Sequence, residues 1–376
     1  MKRILYVFNK LHYPVTIDEF TFPPGEETEI FIETSSWAFR VIRSVKGLKF
    51  GNSSNEEWKR KYAVDARYDF NMVYDISSQR RGGSYVHVVE ALSNPIMKHL
   101  PEGTVGFTVK PGVGINLRFF SESRITQLGK FPVGPLDVFM SHGIGDKNYW
   151  VAARIAPYPH ALVPGPAWKE RIEAGGYQGK VWVVGYTKLD PIFNGEYIRQ
   201  ERTKPYVVWA PTHGYHYRYK GRSSYPQCLE LVKEIPEEYE THVALHPASR
   251  LQRKQIHNVT LQELLDADVV IADAGSTLYE AWALGKPVIF PDWICRDDVL
   301  ANFDDDHGNL EYQIYDQGIG YHAKDMDHLN SLIDVALRDG MGQREIDFME
   351  RIFPKELRGK AGQMAAKALL SIAEGE

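Results

Sequence analysis

Cysteine is nearly missing: only Cys228 and Cys295 occur in 376 residues, far apart and without a CxxC spacing. Neither a disulfide framework nor a thiolate zinc site is expected, and the composition suits a reducing cytoplasm. No apolar run approaches the ~18 residues that a membrane-spanning helix needs, so any membrane contact is expected to be peripheral. The opening MKRILYVFNK has too short an apolar stretch for a secretory signal and reads as a β-strand. Charge of one sign is also lacking. The formal net charge is -5, which argues against a bulk polyanion binder while still allowing a local basic groove. There is no internal repeat and no low-complexity tract.

What is present is ordinary globular composition, 43% hydrophobic and 25% charged, which excludes a disordered chain. The length exceeds the usual ceiling for one hydrophobic core, so two domains are expected. Strands are predicted at 3–8, 69–75, 105–109 and 136–140, with helices at 35–48 and 84–93 and a Pro- and Glu-rich loop over 17–32. A strand and glycine turn follow at 181–190, then a polar stretch from Pro191 to Pro205. The alternation restarts with strands at 206–211, 241–247, 268–272 and 287–290, and helices at 226–234, 261–266, 277–285, 326–338 and 361–373. Strands alternating with helices predict an α/β chain with mainly parallel sheets. The expected division is a first Rossmann-like domain over 1–190, a linker over 191–205, a second Rossmann-like domain over 206–360 and a last helix over 361–376.

Ligands of open α/β sheets bind beyond the carboxyl ends of the strands. Four such ends carry polar or glycine residues where the apolar run stops: Ser141–Lys147, Thr212–Tyr217, His246–Arg250 and Asp273–Thr277. His142, followed by glycines, can act as a general base toward a hydroxyl, because its unperturbed pKa lies near the working pH. It can equally do no more than hold its loop. His246, with Arg250 nearby, can neutralise charge growing on a phosphate leaving group, or cap the sheet edge. Gly275 permits close approach to a helix N-terminus that attracts phosphate, and Thr277 with Glu280 matches a capping box. Glu280 lies one turn in, where it can accept from ribose hydroxyls. A plain capped helix explains the same residues.

The run from Thr212 and His213 through Tyr215, Tyr217 and Arg218 can stack on sugars or bases, or form a partly packed surface loop. Asp304–Asp306 with His307 has the residue types of a hard-metal site but no ligand spacing, so a solvated acidic turn is expected and no metal. Arg80 and Arg81 suit either phosphate or a polar turn.

In order along the chain, these pieces resemble the CDP-glycerol glycerophosphotransferases of teichoic-acid synthesis, and more distantly the UDP-N-acetylglucosamine 2-epimerases. The likeness covers about residues 136–290. His142, Gly143 and Lys147 match a His-Gly-Thr-Pro-x-Lys loop, with Ile144 and Gly145 replacing Thr and Pro. Gly185 to Asp190 matches a Gly-x-x-x-x-Asp turn, Ala210-Pro211-Thr212 an Ala-Pro-Thr strand end, and His246-Pro247 a His-Pro pair. An Asp-Tyr-Ser-Ser segment becomes Asp273-Ala274-Gly275-Ser276, with Glu280 at the acidic position. The epimerases' acid/base Glu, which falls within His142–Asp146, is absent, and this favours transfer.

The resemblance implies a GT-B fold, two Rossmann-like domains facing across a cleft, with the C-terminal helix packing back on the first. It implies transfer of a glycerophosphoryl or glycosyl group from a CDP- or UDP-linked donor to an acceptor hydroxyl. The acceptor is a polymer, a lipid-linked molecule or a nucleic acid. The alternatives are a glycosyltransferase acting on DNA or another polymer, and a UDP-sugar 2-epimerase-like isomerase. His142 and His246 would be catalytic. Gly185, Thr212, His213, Arg250, Asp273, Gly275, Ser276, Thr277 and Glu280 would bind the donor; Lys147, Tyr215, Tyr217 and Arg218 would meet the acceptor. No cofactor or metal is expected, since GT-B enzymes generally stabilise the leaving group with helix dipoles and side chains.

Overall fold

Near-continuous apolar runs of four or five residues, such as Tyr206–Ala210 and Val269–Ala272, have no polar face to turn to water. They therefore form strands buried on both sides, the habit of parallel sheets. A computed structural model gives the structure of residues 2–9, 14–17, 19–23, 27–33, 48–51, 69–73, 84–108, 114–120, 133–146, 155–212, 223–246, 257–302 and 308–375. Among these, two parallel sheets dominate.

The first sheet is built from β6 (Phe70–Val73), β7 (Val105–Thr108), β8 (Ile115–Phe120), β9 (Asp137–Ser141), β10 (His160–Val163) and β11 (Lys180–Val183) in the order β11-β10-β9-β8-β6-β7. Five earlier strands, β1 (Lys2–Asn9), β2 (Val15–Ile17), β3 (Phe20–Phe22), β4 (Glu27–Glu33) and β5 (Leu48–Gly51), stand apart from it. The opening segment is thus a strand, as expected, but not part of the parallel sheet: β1 pairs antiparallel with β4 and β5. The loop expected over 17–32 is corrected too. The glutamates that suggested a loop sit on β4, an edge strand, where Glu27 and Glu29 pair opposite Phe8 and Tyr6. The helix expected at 35–48 lies outside the described residues, except that Leu48 begins β5.

The second sheet comprises β12 (Tyr206–Ala210), β13 (Glu240–Val243), β14 (Val269–Ala272), β15 (Val288–Pro291) and β16 (Tyr321–Ala323), ordered β13-β12-β14-β15-β16. The helices of eight residues or more among the described residues are α1 (Ser84–Met97), α2 (Pro166–Ala174), α3 (His257–Asp266), α4 (Ser276–Ala283), α5 (Asp292–Asn302), α6 (Leu310–Gln317), α7 (Met326–Asp339), α8 (Gln343–Ile352) and α9 (Ala361–Glu374), with single helical turns at Asp190–Phe193 and Cys228–Leu231. The side-chain period of two sorts β12 cleanly. Val207 and Trp209 join Val269, Ile271 and α7 on one face, while Tyr206, Val208 and Ala210 face a cluster continuous with the first sheet.

Between the sheets, residues 198–204 are tied to the second one. Gln262 donates to the Ile198 carbonyl at 2.9 Å, the Gln200 amide donates to Asp266 at 2.8 Å, and Arg202 pairs with Glu240 and Asp266. Helix α9 lies against α1 and β8. Its Ala- and Gly-rich face permits the approach: a Cβ on Gly362 would stand 2.4 Å from the Pro95 carbonyl oxygen. No helix among the described residues is long and apolar enough to cross a membrane.

Candidate functional site

Two loops from opposite sheets meet at their strand ends. After β9, Ser141 donates its hydroxyl hydrogen to the Gly143 carbonyl at 2.8 Å, which folds the chain back at His142. The next two amides, of Ile144 and Gly145, donate to Oγ of Ser276 at 3.1 and 3.3 Å. Ser276 opens α4 on the other sheet, 132 residues beyond Ile144. Glycine makes this approach possible. A Cβ on Gly145 would lie 2.7 Å from the backbone of Gly275, and one on Gly143 would lie 2.5 Å from Oγ of Ser276.

Asp146 fixes the far end of the loop. Its carboxylate accepts from Nε of Arg171 on α2 at 2.7 Å and from the Leu310 amide at 3.0 Å, at the start of α6. Its carbonyl accepts from the Asn309 side chain at 2.6 Å, and Asn309 in turn caps α6 by accepting from the Tyr312 amide. Glu311 accepts the Gly275 amide at 3.0 Å. Arg171, Asn309 and Glu311 were not among the sequence candidates. Only the Asn309 cap signal, an Asn opening an amphipathic run, is readable without the fold.

Asp273 has no exposed surface. It accepts from the amides of Thr212, Ala274 and Ser224 and from the Ser224 hydroxyl, at 2.7 to 2.9 Å. The residue therefore ties the end of β14 to both Thr212 and Ser224, which bracket 213–222 in sequence. Burial pushes its carboxyl pKa above the ordinary value, against the pull of those donors. Thr212 is buried beside it, and its carbonyl accepts from Ser223 at 2.6 Å.

Glu280 is likewise buried, and one of its oxygens accepts from Lys188 at 2.7 Å and from the Tyr186 hydroxyl at 3.0 Å. Gly185, at φ 92°, meets Ala361 and Phe353 of the C-terminal segment. Asp273, Glu280 and Gly185 thus anchor the frame in this structure. The capping box expected from Thr277 and Glu280 is corrected. Helix α4 starts one residue earlier, with Gly275 at φ 91° as N-cap, which has no side chain to cap with, while the Ser276 hydroxyl serves the opposite loop.

The residues brought together are therefore His142, on the Ser141–Asp146 loop, and Gly275, Ser276 and Thr277. His246 is half-buried three residues past the end of β13. β12 separates β13 from β14, and His246 and Asp273 both lie beyond the carboxyl ends of their strands on the same edge of the sheet. Lys147, His213, Tyr215, Tyr217, Arg218, Arg250, Asp304–Asp306, Arg80 and Arg81 lie outside the described residues.

No known protein-family profile matches the chain, and no curated protein resembles it in sequence. Among solved structures, the wall teichoic acid polymerase TagF is similar at a TM-score of 0.53 and 13% identity, over 82% of this chain and 90% of that one. A variant of the same polymerase soaked with CDPG gives 0.51 at 14% identity, over 82% and 89%. A UDP-GlcNAc 2-epimerase from Methanocaldococcus jannaschii is more distant, with a TM-score of 0.40 at 14% identity over 75% of this chain and 96% of that one. The likeness to the teichoic-acid polymerase carried by the motifs thus recurs in the architecture, and the chain has the GT-B fold.

Proposed function

We propose that this chain transfers a glycerophosphoryl or glycosyl group from a CDP- or UDP-linked donor to an acceptor hydroxyl. The observation that carries the reading is the meeting of a histidine-bearing strand-end loop with a glycine-started helix N-terminus on the facing sheet. A base for an acceptor and a cradle for phosphate are the two parts such a transfer needs. The shared fold with a wall teichoic acid polymerase supports the same class of substrate.

In this reading His142 takes the proton of the acceptor hydroxyl as its oxygen bonds to phosphorus or to the anomeric carbon. The bond to the nucleotide breaks, and CMP or UDP leaves with the electron pair. The orphan amides at the start of α4, with Thr277, His246 and Arg250, stabilise the charge on the departing phosphate. No metal or cofactor is required. Transfer is favoured over epimerisation because Asp146, the carboxylate on the His142 loop, is held by Arg171 and the Leu310 amide and is not placed to move a proton.

The test is incubation with a panel of CDP-alcohols and UDP-sugars, with and without hydroxyl acceptors. Acceptor-dependent release of CMP or UDP is the expected result. Sugar isomerisation that needs no acceptor, or no nucleotide release from any donor, overturns the reading.

A further inference from the structure

The Ser276 hydroxyl has two acceptor positions and one hydrogen. Both acceptor positions are used by consecutive amides of the opposite loop, Ile144 at 3.1 Å and Gly145 at 3.3 Å. Its own helix makes no claim on it, since the N-cap is Gly275 and no side chain caps α4. One hydrogen is all that remains for a phosphate oxygen.

The loop it grips is held at every other step as well. The Ser141–Gly143 turn precedes the gripped amides, and the buried Asp146 follows them, fixed to α2 and α6. His142 sits inside that turn, two residues before the first amide bonded to Ser276. Loops from two sheets come this close only because Gly145 faces the Gly275 backbone and Gly143 faces the Ser276 hydroxyl with no Cβ between them. Gly145 and Gly275 stand where the resembling family has Pro and Ser, and one departure packs against the other.

We propose that Ser276 is a positioning residue: its hydroxyl, reached across the junction by the Ile144 and Gly145 amides, sets the direction in which His142 points. The proposal rests on the transferase reading for what His142 does, but not for whether Ser276 orients it.

The experiment uses the full chain with ring-labelled histidine, the His142 signal being assigned by its loss in His142→Gln. Ser276→Ala is expected to move the His142 imidazole signal and leave that of His246 in place. It is expected to lower kcat on the order of 10- to 100-fold, as misplacement of a reacting group does, with donor KM nearly unchanged. Ser276→Thr, which keeps the hydroxyl, restores both. If the alanine variant does not fold, Ser276→Cys, a much weaker acceptor at the same place, is read in its stead. A raised donor KM with kcat and the His142 signal unchanged overturns the proposal and returns Ser276 to the donor phosphate. If no nucleotide donor is turned over at all, the transferase reading falls. The signal alone then decides: a His142 resonance that moves upholds the positioning role, and one that stays overturns it.

Discussion

Lys188, in the turn after β11 of the first sheet, and Glu280, on α4 beside the second, meet at 2.7 Å with side chains only 8% and 2% exposed. Tyr186 donates to the same carboxylate oxygen, and burial with the nearby Glu280 charge pushes its hydroxyl pKa well above the ordinary value. A buried pair of this kind adds little net stability when complete but costs much when halved, because the survivor is a charge with no solvent. Lys188→Met is expected to destabilise the fold by about 3–5 kcal/mol, and Lys188→Met with Glu280→Gln to recover most of that loss. Urea denaturation of the two single variants and the double variant checks it. Additive losses in the double variant would show that the two residues are not coupled.

The Gly145–Gly275 approach predicts a contrast between two glycines that flank β9. Gly145→Ala must push apart two backbones that already touch, at a cost of about 1–3 kcal/mol. Gly134→Ala meets nothing within 4 Å and should be close to neutral. Thermal midpoints measured side by side decide the matter, and equal midpoints would mean that the loops are not in contact in solution.

Lys286 gives a pH signature. Its amino group donates to the Ala267 carbonyl at 2.6 Å, and burial, aided by the Arg199 charge, lowers its pKa to about 8. The unfolded chain regains an ordinary lysine near 10.4, so between about pH 8 and 10.4 the unfolded state binds more protons than the folded one. Stability from this group therefore rises with pH through that window, and the penalty for burying the charged form is present in full below it. The stability difference between the wild type and Lys286→Met should shift in favour of the wild type as the pH is raised from 7 to 10. Denaturation curves at the two values test this, and a difference that does not change with pH contradicts it.

How far the fold could be read depended on whether polar residues interrupted the apolar runs. Strands β12, β14 and β15 were legible because nothing charged breaks Tyr206–Ala210, Val269–Ala272 or Val288–Pro291. Strand β8 was not, because Asn116 and Arg118 alternate with its apolar residues. Both are buried and both bond to Asp137 on β9, a partner that pairing across the sheet supplies. Helix α8 was not among the expected helices, although Glu345, Phe348, Met349 and Ile352, its buried residues, fall at helical spacing.

In the site, the strand-end loops were visible as glycine-rich breaks after apolar runs. What could not be seen was that Asp273 and Glu280 are buried in the frame, or that Ser276 bonds to Ile144 and Gly145. Contacts between residues more than ninety positions apart follow from topology, which no local pattern contains.

The last expectation concerns the two histidines. His142 follows β9 on the first sheet and His246 follows β13 on the second, each half-buried beyond the carboxyl end of its strand. In the proposed transfer His142 takes the acceptor proton and His246 stabilises the departing phosphate, roles that each contribute about 10²-fold or more in rate. Neither side chain belongs to the buried core, so truncation removes chemistry rather than packing. His142→Ala and His246→Ala should therefore each lower kcat by at least about 10²-fold while the thermal midpoint moves little. Histidines that merely hold their loops predict the opposite pattern, lost stability with activity per folded molecule retained. Steady-state kinetics and thermal melts on the same preparations separate the two. Near-normal turnover by His142→Ala on the true donor and acceptor would remove the base from the mechanism and leave only the phosphate cradle at α4.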